Sequence, residues 1–190
     1  MSYSATETTL RRAFGTPTSY GTVVAPATGQ ISAQEIGAEG SYRGIRLSLS
    51  NVQVNITNSA GAGFATLDLW TFVAGSLVVQ NASTDVSLVA AAGIPATSAN
   101  VVASLGTAAT ADTTLNGAEA AFVASTAIPA LVASTGLFRA GVNTTAANTG
   151  GVVAQTLRLN VAVTSGMTSN SSVTLNGTID VYFTLARAFA

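Results

Sequence analysis

The chain has 190 residues, 48% of them apolar and only 8% charged, with a formal net charge of −1. That is ample core material for one sizeable domain, with no long-range field to gather nucleic acid or an acidic membrane surface. It holds no Cys and no His, so a disulfide, a thiol nucleophile, a Cys/His zinc site and a Ser-His-Asp triad are all excluded within it.

The seven cations are all arginine, and the polar remainder is mostly Ser, Thr, Asn and Gln. Such a surface loses less on burial against a neighbour than a Lys/Glu surface does, because ions are costly to desolvate. Arginine is also the cation better suited to interfaces. Composition therefore points to a protein that assembles, with a mildly sticky monomer as the alternative that composition leaves open. "MSYSATETTLRRAFG" at the N-terminus lacks the apolar stretch of a signal peptide. No run approaches the ~18 apolar residues of a membrane span; the best, Phe72 to Val79, is eight residues long and contains Gly75 and Ser76.

Residues 1–41 have scattered apolar positions, several Gly and two Pro, and no sustained period. They read as an extended N-terminal arm ahead of a domain spanning 42–190. The arm's one concentrated feature is Arg11-Arg12 followed by Phe14, two guanidinium groups and a ring suited to anchoring a neighbouring subunit; a solvated charge pair near a chain end gives the same pattern. Deleting residues 2–30 is expected to leave a folded body that no longer holds its assembly.

From Tyr42 the period is two. Leu47 and Leu49 share one face and Val52, Val54 and Ile56 the other parity, so a bulge or bend is expected at Ser50-Asn51. In "LDLWTFV", Leu67, Leu69 and Val73 point one way and Trp70 and Phe72 the other, as in a central strand covered on both faces. "AGS" (74–76) reads as a turn, Leu77-Val78-Val79 as the start of the next strand, and Val86 and Leu88 as part of another. The Ala-rich middle, about 90–135, is expected to hold strands and loops with at most a short helical turn at "GAEAAFVAS". Pro95 and Pro129 mark edges or loops, and 143–151 is a loop. Leu157, Leu159, Val161 and Val163 alternate cleanly. In "SVTLNGTIDVYFTL", Asn176-Gly177 has the chemistry of a hairpin turn. Yet Val173, Leu175, Ile179, Val181, Phe183 and Leu185 share one parity, which favours a single long strand through Gly177. Around eight such strands predict an all-β, antiparallel, jelly-roll-like sandwich.

Motifs for chemistry are sparse. A glycosidase needs paired carboxylates, and the nearest thing to a pair is Asp112 and Glu119, seven apart in a loop-rich segment. Asp68 lies near a strand end, where water or a backbone donor satisfies it. There is no Gly-rich phosphate loop and no Asp-x-Asp-x-Asp-Gly calcium loop. Arg43 and Arg46 flank Tyr42 without making a nucleic-acid patch. The sequence therefore predicts no catalytic, cofactor or metal residues.

From about Phe64 onward the chain resembles a family of small tailed-phage virion proteins, the head decoration or cement proteins. The resemblance rests on short blocks in order: the aromatic-x-x-Gly step from Phe72 to Gly75, "TDVSL" (84–88), "SLGTAATADTTLNGAEA" (104–120), "STAIPA" (125–130) and "VTLNGTIDVYF" (173–183). Together they span roughly two thirds of the chain. The resemblance implies a β-rich structural subunit on the outside of a capsid, a homo-oligomer with the trimer favoured, whose partner is the major capsid protein. It implies no cofactor, no nucleic acid and no membrane, and it transfers no functional residues. The arm lies outside it, so the anchoring role of Arg11, Arg12 and Phe14 rests on their own chemistry. The rival expectation is a glycan- or host-receptor-binding β-sandwich module of a tail or fibre; a glycan-active enzyme ranks last.

Overall fold

The computed structural model describes residues 21–36, 42–73, 76–94, 101–128, 136–142 and 155–186. Within them lie β1 (Gly21–Val23), β2 (Gln30–Ile36), β3 (Tyr42–Ile56), β4 (Gly63–Phe72), β5 (Ser76–Ala90), β6 (Val101–Gly106), β7 (Val123–Ala127), β8 (Gly136–Val142), β9 (Thr156–Val163) and β10 (Ser171–Ala186), with one 3-10 turn at Gly117–Ala120. They form two five-stranded sheets, β1-β4-β9-β6-β7 (sheet I) and β2-β3-β10-β5-β8 (sheet II). All pairings are antiparallel, and β3 with β10, β4 with β9, β5 with β8 and β6 with β7 make a nested set. The protein is thus an all-β antiparallel sandwich, as the alternation predicted. Its core is the apolar layer between the sheets, where Phe72 of sheet I meets Phe183 of sheet II edge to face, ring centroids 5.1 Å apart.

Changes of parity in the sequence become bulges. Along β10, Leu175 faces Val52 and Gly177 faces Leu49, so β3 carries its extra residue at Ser50-Asn51, where the phase slip placed it. Asn51 takes a left-handed φ of 51°, which Asn tolerates better than most residues, and its N–H donates to Asn176 Oδ1 at 2.8 Å. Leu47 and Leu49 before the bulge, and Val52, Val54 and Ile56 after it, all reach the core.

Two expectations are corrected by the same device. In β4, Asp68 faces Arg158 and Trp70 faces Leu157, and this extra residue brings Leu67, Leu69, Trp70 and Phe72 into one core. The stretch is therefore one covered face whose parity changes midway, not a strand covered on both sides, and Val73 is left exposed beyond the strand's end. In β5, Phe183 faces Val79 and Tyr182 faces Asn81. The bulge joins Val79 to Ala82, Val86 and Leu88 on one buried row, so a single 15-residue strand replaces the two expected.

β10 runs unbroken through Gly177, with Val173, Leu175, Ile179, Val181 and Phe183 all fully buried; the hairpin does not form. Gly177 has a φ of 139°, and a Cβ there would run into the Asp85 carbonyl of β5. Glycine here lets the neighbouring strand close in and does not turn the chain.

The boundary drawn at residue 41 also moves. β1 pairs with β4 and β2 with β3, so the body begins no later than Gly21. No period marks these strands because edge strands leave most side chains in water: along β2 only Ile31 and Ile36 are even partly buried. In the Ala-rich middle the described residues hold β6, β7 and the 3-10 turn, joined by turns and irregular chain. The turn expected at 74–76 lies outside the described residues except for Ser76, which opens β5; Pro95, Pro129 and the 143–151 loop lie outside them altogether.

Candidate interaction face

The two outer faces of the sandwich differ in what covers them. On sheet I, residues 107–122 lie across β9, and the contact is organised by Asn160, which is fully buried. Its Nδ2 donates to the carbonyls of Ala108 at 3.0 Å and Glu119 at 2.9 Å. Its Oδ1 accepts from Thr66 Oγ1 at 2.6 Å and from the Thr110 N–H at 3.2 Å. Ser104 Oγ adds a bond to the Glu119 carbonyl at 2.8 Å. At the rim, Arg158 donates to Asp68 Oδ1 at 2.7 Å and to the Thr107 carbonyl. This face is closed by the chain's own polar network.

The same network accounts for the acids. Glu119 accepts from the Ala111 and Asn116 N–H groups at 3.2 and 3.3 Å, and Asp112 Oδ1 from the Thr114 N–H at 2.6 Å. Asp112 and Glu119 therefore shape the 111–120 turns, each spending its carboxylate on backbone amides. Among the described residues, no group of three or more Asp, Glu, His or Cys side chains is placed to hold a metal.

On sheet II, no described segment crosses the outer face. Strand alternation turns Ser172, Thr174, Asn176, Thr178, Asp180, Tyr182 and Thr184 of β10 outward, all half-buried by their neighbours. Arg46, Ser48, Ser50 and Asn55 of β3 flank them on one side and Ser83, Asp85, Ser87 and Val89 of β5 on the other. Hydroxyls and amides dominate and bond across the strands, as in Gln53 Nε2 to Ser172 Oγ at 3.0 Å and Gln80 Nε2 to Thr184 Oγ1 at 2.7 Å. One ion pair is built into the face. Arg46 grips Asp180 through Nε and Nη2 at 2.8 and 2.7 Å, a bidentate bond that, with the carboxylate's charge, raises the guanidinium's pKa. Asp85 stands directly opposite Arg139 in the register with β8.

Tyr182 sits opposite Gly44, and a Cβ on Gly44 would lie 2.8 Å from its Cδ1, so the ring covers the glycine beside the Arg46–Asp180 pair. The face spans strands of 15 and 16 residues, about 50 Å long at ~3.3 Å per residue. Five strands at ~4.8 Å spacing make it about 20 Å across at its widest. That is on the order of the ~800 Å² one partner contributes to a standard interface. Because Arg46 and Asp180 are matched within the sheet, covering them strands neither charge.

The anchor residues proposed from sequence, Arg11, Arg12 and Phe14, lie outside the described residues. Sequence reasoning set Arg46 aside as a nucleic-acid contact and did not single out Asp180, Tyr182 or Asn160, because pairing and covering are settled by register between distant strands. No protein-family model, curated protein or solved structure matches the chain.

Proposed function

We propose that this chain is a capsid cement or decoration protein, a structural component on the outer surface of a phage head that stabilises the shell by bridging major capsid subunits. It turns over no substrate, uses no cofactor and works as a homo-oligomer, with the trimer favoured. The observation that carries this reading is the outer face of sheet II: broad, uncovered by any described segment, rich in hydroxyls and amides, with its Arg46–Asp180 pair matched in place. A cement subunit must gain contact area without leaving unpaired ions at a seam, and this face meets that requirement. The nested pairing of β3 with β10 through β6 with β7, read as a jelly-roll winding, suits the role by making a stiff body. Arg11, Arg12 and Phe14 serve as a second anchor reaching a neighbouring subunit.

Electron cryo-microscopy of the virion tests the reading, which expects density for this chain on the head's outer surface with sheet II against the shell. Ser48→Arg places an unmatched cation on the face at an exposed position; it should leave the melting temperature unchanged and reduce capsid occupancy at least about tenfold. Density only on the tail would overturn the proposal in favour of the glycan- or receptor-binding module. That second reading draws on Tyr182, whose ring beside Arg46 and Asp180 offers a sugar a flat aromatic surface flanked by hydrogen-bonding groups.

A further inference from the structure

One edge of sheet II has a role that the capsid reading does not use. Strands β1, β7, β2 and β8 border the two sheets. β1 has three residues; β7 has five and a register shift against β6; β8 carries Arg139 at its centre. Short length, irregular register and a central cation all discourage pairing at an edge. β2, Gln-Ile-Ser-Ala-Gln-Glu-Ile, has seven residues with no Pro, Gly or cation. Its register with β3 is unbroken from Gln30↔Ser50 to Ile36↔Gly44.

β2 is firmly seated on that inner side. The Ile36 carbonyl comes so close to Gly44 that a Cβ there would lie 2.5 Å from it, and just before the strand the Thr28 carbonyl accepts from the Gln53 N–H at 3.2 Å. Among the described residues no strand lies on its other side, and Ser32, Ala33, Gln34 and Glu35 are exposed.

We propose that β2 pairs with β2 of a second copy, antiparallel about a twofold axis at Ala33, joining two copies of sheet II into one continuous sheet. The residue order suits this occupant. A twofold at Ala33 sets Ala33 against Ala33, Ser32 against Gln34, Ile31 against Glu35 and Gln30 against Ile36. Methyl groups meet at the axis, a hydroxyl meets an amide, and the strand's one charge meets the partner's isoleucine. Glu35 and its symmetry mate stand four residues apart, about 13 Å at ~3.3 Å per residue, beyond the ~8 Å screening length of physiological salt. The contact is isologous and closes on itself, so it pairs copies without growing fibres; a trimer uses a different surface. It depends on the fold and not on the capsid role.

The full chain is cysteine-free, so Ala33→Cys introduces a single thiol. Directly opposed antiparallel residues have Cα atoms about 4.5–5.5 Å apart, within the ~4.4–6.8 Å range of disulfides. Mild oxidation of Ala33→Cys should give one covalent dimer, while Ser165→Cys, exposed elsewhere on the body, stays uncrosslinked. Light scattering of the wild-type chain at tens of micromolar should show a mass that is an even multiple of the chain. Ala33→Lys and Ala33→Glu should each self-associate at least about 100-fold more weakly, because like charges then meet at the axis, with melting temperatures equal to the wild type's when all are dilute enough to be dissociated; mixing them in equal amounts should restore the pair. A wild-type mass unaffected by Ala33→Lys, a wild type monomeric to about 100 µM, or failure of the mixture to recover would overturn the proposal. So would hydrogen exchange at residues 30–36 that is slow at every protein concentration, since the chain's own residues would then be covering the edge.

Discussion

In β9 the run Leu-Asn-Val puts an amide on the side of a strand that in most sandwiches meets water, yet Asn160 is fully buried and bonded through both its amide nitrogen and its oxygen. Asn160→Leu would take the donor from the Ala108 carbonyl and the acceptor from the Thr66 hydroxyl beneath residues 107–122, leaving the Glu119 carbonyl to Ser104 Oγ alone. The expected loss is about 2–4 kcal/mol, since each stranded buried group costs ~1–3 kcal/mol. In a body of this size that lowers the melting temperature by roughly 5–15 °C, measurable by calorimetry; a change within 1 °C or so would show that the cover does not depend on this side chain. Nothing in the period marks Asn160, because alternation assigns it to the polar face and cannot say whether another segment lies over that face. Asn51 is the opposite case. Its bulge was legible because a change of parity in an otherwise regular apolar row has few physical solutions, and a left-handed Asn is one of them.

At the level of strands, the long central elements were the readable ones. Five buried side chains of one parity outweighed the turn chemistry of Asn176-Gly177, since a two-residue turn there would have mixed apolar and polar residues on each face. β1 and β2 were unreadable for the converse reason: an edge strand on one sheet of a sandwich buries too little to leave a pattern. This changes what truncation should do. Removing residues 2–30 takes away β1 and the first residue of β2, so the folded body expected from that deletion is not what the pairing supports. Deleting 2–20 spares every described strand and should leave the melting temperature within 1–2 °C of the full chain. Deleting 2–36 exposes the edges of β4 and β3, whose pairing partners are lost, and should turn a soluble product into an aggregating one. Size-exclusion chromatography of the two products distinguishes these outcomes. Equal behaviour would mean that β1 and β2 contribute nothing to closing the sheets.

For the molecule as a whole, scarcity of charge sets the response to solvent. With net charge −1 and no His, Cys or Lys side chain, no side chain of ordinary pKa titrates between about pH 6 and 9. Among the described residues the one shifted group, Arg46, has its pKa raised, so its contribution is present throughout that window and fades only as pH rises through the guanidinium's own range. The melting temperature should therefore stay flat across pH 6–9; if the proposed function holds, capsid retention should hardly change between about 50 and 500 mM salt, because a nearly neutral surface has little long-range attraction to screen. Salt-driven release would show that the contact is ionic and lies elsewhere. Sheet II has a further consequence, which concerns how the protein comes to exist. Its central strand, β10, is the last of the ten to be made, and it pairs with β3 more than a hundred residues upstream; Arg46 and Asp180 are 134 positions apart. During synthesis the inner edges of β3 and β5 must wait for it, a slow closure dominated by distant partners. A nascent chain that stops before Ser171 lacks the strand between them and cannot close sheet II.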